Sequence, residues 1–165
     1  MLFRMLLGCA LLLMWACRGD YRKAQWHYNI IMLQHNEIVG VMERLELGFS
    51  DTASYRAVNE KMDSLHLLTQ RLQSTCDTIS LPDEDASMKE ATMHWTGILQ
   101  NEIFPLYHEK INLWKMMHIQ QNNKDVMRLD ALTKRIEEKK TELNASTIPA
   151  FESFVDDYKL SYRPL

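Results

Sequence analysis

The chain has 165 residues, 46% hydrophobic and 25% charged, with five glycines and four prolines, which suffices for one domain with its own core. A net charge of −3 without any long basic run excludes a surface that tracks nucleic-acid phosphates. The three cysteines, Cys9, Cys17 and Cys76, are too few for a disulfide-built scaffold, and no Cys-x-x-Cys pair suggests zinc or a redox motif.

Residues 1–16 read as a signal peptide. Arg4 supplies the positive start, and the apolar stretch from Met5 to Trp15 is shorter than the roughly 20 residues that a spanning helix needs. It ends on a small residue, Ala16, followed at once by Cys17. Met14-Trp15-Ala16-Cys17 resembles the lipobox of a bacterial lipoprotein precursor, with Ala before the cysteine and a bulky Trp before that. Leu6-Leu7-Gly8-Cys9 fits the pattern locally, but only four residues separate Arg4 from Cys9, too short for an export segment. Cys17 is therefore the expected lipid acceptor. The resemblance implies a mature chain of residues 17–165 held in the membrane by acyl chains on Cys17; one chain alone anchors only marginally, and this modification supplies three. A plain secretory peptide, with Cys17 free or paired to Cys76, is the alternative.

From Asp20, a plausible N-cap, apolar residues recur at alternating steps of three and four: Tyr21, Ala24, Tyr28, Ile31, His35, Ile38, Met42, Leu45, Phe49. This is helix A. Trp26, Ile30, Leu33 and Val41 lie off that seam, so burial on more than one face is expected. The helix ends near Gly48 and Ser50, and Asp51-Thr52 starts the next cap. Helix B carries Tyr55, Val58, Met62, Leu65, Leu68, Leu72 and Cys76, and stops at Ser80 before the acidic turn Pro82 to Asp85. Helix C begins near Ala86 with Met88, Ala91, Trp95, Leu99, Ile103 and Leu106; Pro105 removes a backbone donor and is expected to kink it. Its stripe then shifts to Tyr107, Ile111, Trp114 and Met117. After the polar turn Gln120 to Lys124, helix D runs from Asp125 with Val126, Leu129, Leu132, Ile136, Leu143, Phe151, Phe154 and Tyr158. Its middle, Arg135 to Glu142, is charged, and Pro149 is expected to kink or split it. Four long amphipathic helices on short turns predict an all-α, antiparallel up-down-up-down four-helix bundle after the lipoprotein signal peptide, with residues 17–165 as the single domain.

Catalytic signatures are missing: there is no Gly-x-Ser-x-Gly, His-Glu-x-x-His, phosphate-binding loop or dinucleotide fingerprint. Neither an enzyme nor a cofactor is predicted, and no small-molecule substrate is evident. The nearest helical pairs with metal-ligand chemistry, Asp63 with His66 and Glu90 with His94, are of a kind common on solvated surfaces, so no metal site is assigned. His35 on the helix A seam reads as a core residue whose ring needs a polar partner; the alternative is a haem or metal ligand working with a Met. Cys76 reads as an inert buried thiol, and the methionines as core filler before binding groove. Gly40 and Gly97 are expected where helices approach closely.

With this start and an all-helical body, the chain resembles small envelope lipoproteins of Bacteroidetes-type bacteria. The segments "YNIIMLQHNEIV" and "FESFVDDYKLSY" look like the first- and last-helix patterns of a family of helical surface lipoproteins. Asp51-Thr52-Ala53, Asp63-Ser64-Leu65 and Asp77-Thr78-Ile79 fit the Asp-Ser/Thr-apolar motif at which such bacteria attach O-glycans. The resemblance implies a non-enzymatic, lipid-anchored structural or protein-interaction component of the cell envelope, with another envelope protein as partner. A membrane-proximal assembly such as a type VI secretion apparatus is the specific setting it suggests. Arg18-Gly19-Asp20 stands where surface-exported members often carry an acidic run, which favours a periplasm-facing position in the outer membrane. A ligand-, haem- or metal-binding bundle in the periplasm is the second reading.

Overall fold

In the computed structural model of the chain, residues 2–49, 54–79, 86–120 and 124–160 are described, with side chains for 21–49, 54–79, 87–117 and 125–160. Every regular element among them is helical: α1 (Leu2–Leu47), α2 (Tyr55–Thr78), α3 (Ala86–Ile98), a π turn (Leu99–Ile103), α4 (Phe104–Gln120) and α5 (Lys124–Asp157). Because α3, the π turn and α4 follow one another without a break, the chain forms four helical rods around a single core. The fold is an all-α four-helix bundle.

Most of the predicted seam residues form the core, whereas Tyr21, Tyr55 and Val126, at the starts of the predicted helices where neighbouring rods cover them only partly, are exposed. Ile31, Ile38, Leu45, Val58, Leu65, Leu72, Met88, Leu99, Ile103, Ile136 and Phe154 are all buried, as the three-four spacing requires of a helix with one apolar face. Residue numbers rise on one rod as they fall on its neighbour. Gln34 of α1 donates to the Thr75 hydroxyl of α2 at 3.0 Å, while Glu37 faces Arg71 at 4.0 Å. Gln73 and Gln100 exchange a reciprocal pair of amide hydrogen bonds, at 3.1 and 3.2 Å, tying α2 to the π turn. On the other side of that rod, Lys139 of α5 pairs with Glu102 at 2.9 Å and Arg128 with Glu109 at 3.9 Å.

Several local details differ from the sequence reading. The helix runs through Asp20, so that residue caps nothing. The cap of α2 is Ser54, whose hydroxyl accepts from the Ala57 N–H at 3.2 Å; Asp51 and Thr52 lie outside the described residues. Trp26 and Leu33 face solvent and Ile30 is half-buried, because α2 covers a flank of α1 that reaches Val41 but not these positions. Beyond its own helix backbone and chain neighbours, Gly97 has no atom within 4 Å of where a Cβ would sit, and a Cβ at Gly40 would meet only the end of the Arg44 side chain. Neither glycine marks a close approach. Pro149 leaves α5 in one piece; it sits on the exposed side, where losing one backbone hydrogen bond costs least because solvent can replace it. In the third rod the π turn comes immediately before Pro105, with the Phe104 N–H on the Leu99 carbonyl. That wider turn takes up the residue the proline cannot accommodate in an α pattern, which is why the apolar stripe shifts there. Finally, α5 ends with Lys159 in the left-handed region (φ 50°), and Leu160 N–H reaches back to the Val155 carbonyl at 2.9 Å, closing the last turn.

Candidate functional site

The closest backbone packing joins α1 to α2, the second rod to the third, and the third to α5; α1 and α5 stay further apart. Aromatic rings bridge that gap: Tyr28 stacks with Phe154 at 6.5 Å between ring centres, and His35 meets Phe151 at 6.2 Å. Beside them opens a cleft of about 670 Å³, lined by Met32, His35, Val39, Thr147, Phe151 and Val155, with Asn36, Asn144, Glu152 and Asp156 among its polar residues. It has an apolar floor and a polar rim, the character of a small-ligand pocket. His35 is therefore not simply a core residue. Its ring rests on Trp95 at 4.4 Å, its buried Nδ1 has no hydrogen-bond partner, and it forms part of the cleft wall together with Met32. Burial lowers its pKa, partly offset by a hydrogen bond that the ring donates to Asn36, so the neutral ring is favoured.

A second polar cluster, which the sequence reading missed, lies at the far end of α1. Lys110 of α4, only 3% exposed, bonds the Glu46 carboxylate at 2.5 Å, and its ammonium sits 4.4 Å from the centre of the Phe49 ring. Burial and the neighbouring Glu46 charge push the Tyr107 hydroxyl far above its ordinary pKa. Phe49 closes the cluster against Trp114, edge to face at 5.9 Å. This is a braced ion pair between the first and third rods. Sequence separation hid it, since Glu46 and Lys110 are 64 residues apart.

The remaining candidates fall as follows. Cys17 and the leader lie outside the residues whose side chains are described. Cys76 is buried, and burial pushes its thiol up to about 11, so it is no nucleophile at neutral pH. Met42, Met62 and Met88 are core residues, whereas Met116 and Met127 are exposed. Of the O-glycan motifs, the first lies outside the described residues. Ser64 lies within α2, bonded to the Glu60 carbonyl at 2.7 Å. Thr78 is exposed at the end of α2, its hydroxyl on the Thr75 carbonyl at 2.9 Å. His66 stands beside His108 rather than in a cluster with Glu90 and His94. Among the described residues, no group of three or more His, Cys, Asp or Glu is placed to hold a metal ion, and no helix is long and apolar enough to cross a membrane. Comparison with protein families, curated proteins and solved structures finds no match to the chain.

Proposed function

We propose that the chain is a non-enzymatic, lipid-anchored component of a bacterial cell envelope, tethered through Cys17 and joined through its helical bundle to another envelope protein, in a membrane-proximal assembly of the type VI secretion kind. The observation that carries this reading is the outward face of α1. Trp26 is 59% and Leu33 55% exposed; seven residues apart, they share one stripe, with half-buried Ile30 beside them. Tryptophan is among the residues most enriched as interface anchors, and Leu33 extends it into an apolar stripe on which a partner can dock. They lie in the part of the bundle closest in sequence to the expected lipid.

The test is co-purification from native membranes with a photo-crosslinker at Leu33. Cys17→Ser is expected to leave the precursor unprocessed or released from the membrane fraction. Trp26→Ser with Leu33→Ser is expected to keep lipidation and helicity while the crosslinked partner is lost. Retention of the same partner by the double variant sinks the reading, as does quenching of Trp26 fluorescence by brominated lipid, which would make the stripe a membrane contact.

One observation favours a second reading, a periplasmic ligand- or haem-binding bundle: His35 and Met32 line the same cleft. Because Met32 and His35, three residues apart on α1, reach the cleft from one side, the imidazole would serve as one axial ligand of a haem with the thioether packed beside it. A visible-absorption titration of the purified protein with haemin decides it; no Soret shift, or the same shift in His35→Ala, removes this reading.

A further inference from the structure

We infer that His66 and His108 form a two-histidine site for a divalent transition ion that bridges α2 and α4, independent of both readings above. The two Nε2 atoms are 3.2 Å apart, while the ring centres are 5.4 Å apart with planes inclined by 22°. The difference, 2.2 Å, is about what two ring radii occupy when the nitrogens lie between the centres. The rings therefore meet nitrogen to nitrogen and not face to face.

Such a meeting needs something between the two atoms. Two bare nitrogens repel, so either one ring carries a proton on Nε2 and donates it to the other, or both lone pairs turn to one cation. For an N–H donor the separation is at the long end of the usual range. Two zinc–nitrogen bonds of about 2.0–2.1 Å at a tetrahedral angle put their nitrogens about 3.3 Å apart, close to what the fold already sets. A tetrahedrally coordinated ion would sit beside the line between the two nitrogens, so both rings must turn for their lone pairs to meet it.

The surroundings suit an ion. His66 packs its ring on the edge of Phe104 at 4.7 Å, which limits its rotamers, and His108 is exposed, so an ion has access. Asp63, one turn before His66, is the acidic group whose charge acts on that ring, and it favours a cation there. The π turn before Phe104 sets the register in which Phe104 and His108 face α2, and π turns recur at functional sites. Two imidazoles select Zn²⁺, Ni²⁺ or Cu²⁺ over Mg²⁺ or Ca²⁺, with water completing the shell. The ion would brace the second rod against the third.

The experiment uses the full chain purified in detergent without an oligohistidine tag, stripped with chelator and titrated calorimetrically with Zn²⁺ and separately with Ni²⁺. One ion per chain is expected, with a rise in Tm at saturating Zn²⁺. His66→Gln and His108→Gln are each expected to weaken binding at least tenfold, and the double variant to lose the rise in Tm. His94→Gln, at an exposed position of α3, keeps full binding. Absence of heat and of any Tm change up to about 1 mM of either ion, the weak end of specific affinity, overturns the site; so does unchanged affinity in the double variant. Should a substitution unfold the chain, paramagnetic Ni²⁺ is added to the unsubstituted protein and its histidine ring signals are followed. Selective broadening of His66 and His108 supports the site, and uniform broadening of all histidines overturns it.

Discussion

At the scale of single residues, the Lys110–Glu46 pair and His35 stand among the polar groups that the bundle keeps where an apolar core would be simpler. The Lys110–Glu46 pair is nearly closed off on the lysine side, while the carboxylate is 23% exposed. Breaking such a pair by removing one partner strands the other charge, whereas replacing both with apolar groups of similar volume is often neutral. Lys110→Met is thus expected to destabilise by about 3 kcal/mol, a fall in Tm of roughly 10 °C for a chain of this size. Lys110→Met with Glu46→Leu is expected to return to within about 1 kcal/mol of the parent. Chemical denaturation of the three proteins checks this, and equal losses in the single and double variants would show that the pair itself stabilises. His35 differs because its buried Nδ1 has no hydrogen-bond partner. In the unfolded chain its ring titrates near the ordinary value of about 6.5, and in the fold burial holds the pKa below that. Between those two values the unfolded chain binds more protons, so acidification there favours unfolding. Stability is expected to be level above pH 6.5 as far as His35 is concerned and to fall as pH drops below it. His35→Gln is expected to flatten that fall in Tm measured across pH 7 to 5. An unchanged slope would assign it to His27 and His66, whose pKa values burial also lowers.

At the scale of the helices, local rules and packing separate cleanly. Gly97 lies inside α3 with open space where its Cβ would be, so it weakens the helix without allowing any close contact. Gly97→Ala is expected to stabilise by about 0.5–1 kcal/mol, through helix propensity and a less flexible unfolded chain, read as a higher denaturation midpoint at unchanged m-value. A loss instead would mean that a neighbour moves into that space. The apolar seams of all four rods were legible because burial in a helix repeats every three or four residues, and Ile38, Leu65 and Ile136 needed no other information. Which off-seam residues are covered was not legible. Val41 is buried while Trp26 and Leu33, on the same helix, are open, since that depends on where α2 lies. The same holds for the sites. His35 could be placed on a seam, but that the seam opens into a cleft there depends on the spacing of α1 and α5, which no periodicity encodes. His66 with His108, 42 residues apart, and Glu46 with Lys110 are products of rod pairing alone. Pro105 announced an irregularity, yet only the fold shows it resolved as a π turn and not as a break.

For the molecule as a whole, the proposed lipid anchor makes the distance from Cys17 to the core decisive. Ala24, only 3% exposed, already belongs to the packed interior, and it follows Cys17 by seven residues. Fully extended, those residues span at most about 25 Å; as the continuous helix in which they lie, they span about 10 Å. A capture module that searches its surroundings needs a long polar tether, and none separates Cys17 from the bundle. With lipid on Cys17, the end of the bundle carrying Trp26 and Leu33 would sit close to the headgroups, and the rest of α1, to Leu47, would rise away from them. The partner-binding stripe would then be held at a fixed height and orientation, which suits a stationary part of an assembly. Inserting a flexible ten-residue Gly/Ser spacer after Gly19 separates these possibilities. The spacer adds roughly 15–20 Å of root-mean-square reach without touching any packed residue, so lipidation, helicity and Tm are expected to stay as they were. Crosslinking from Leu33 to the partner is expected to fall several-fold, because a site matched in height would no longer be presented in register and its effective concentration would drop. Undiminished crosslinking in the spacer variant would show that the bundle finds its partner from a loose tether, and the fixed-component reading would be abandoned in favour of a mobile one.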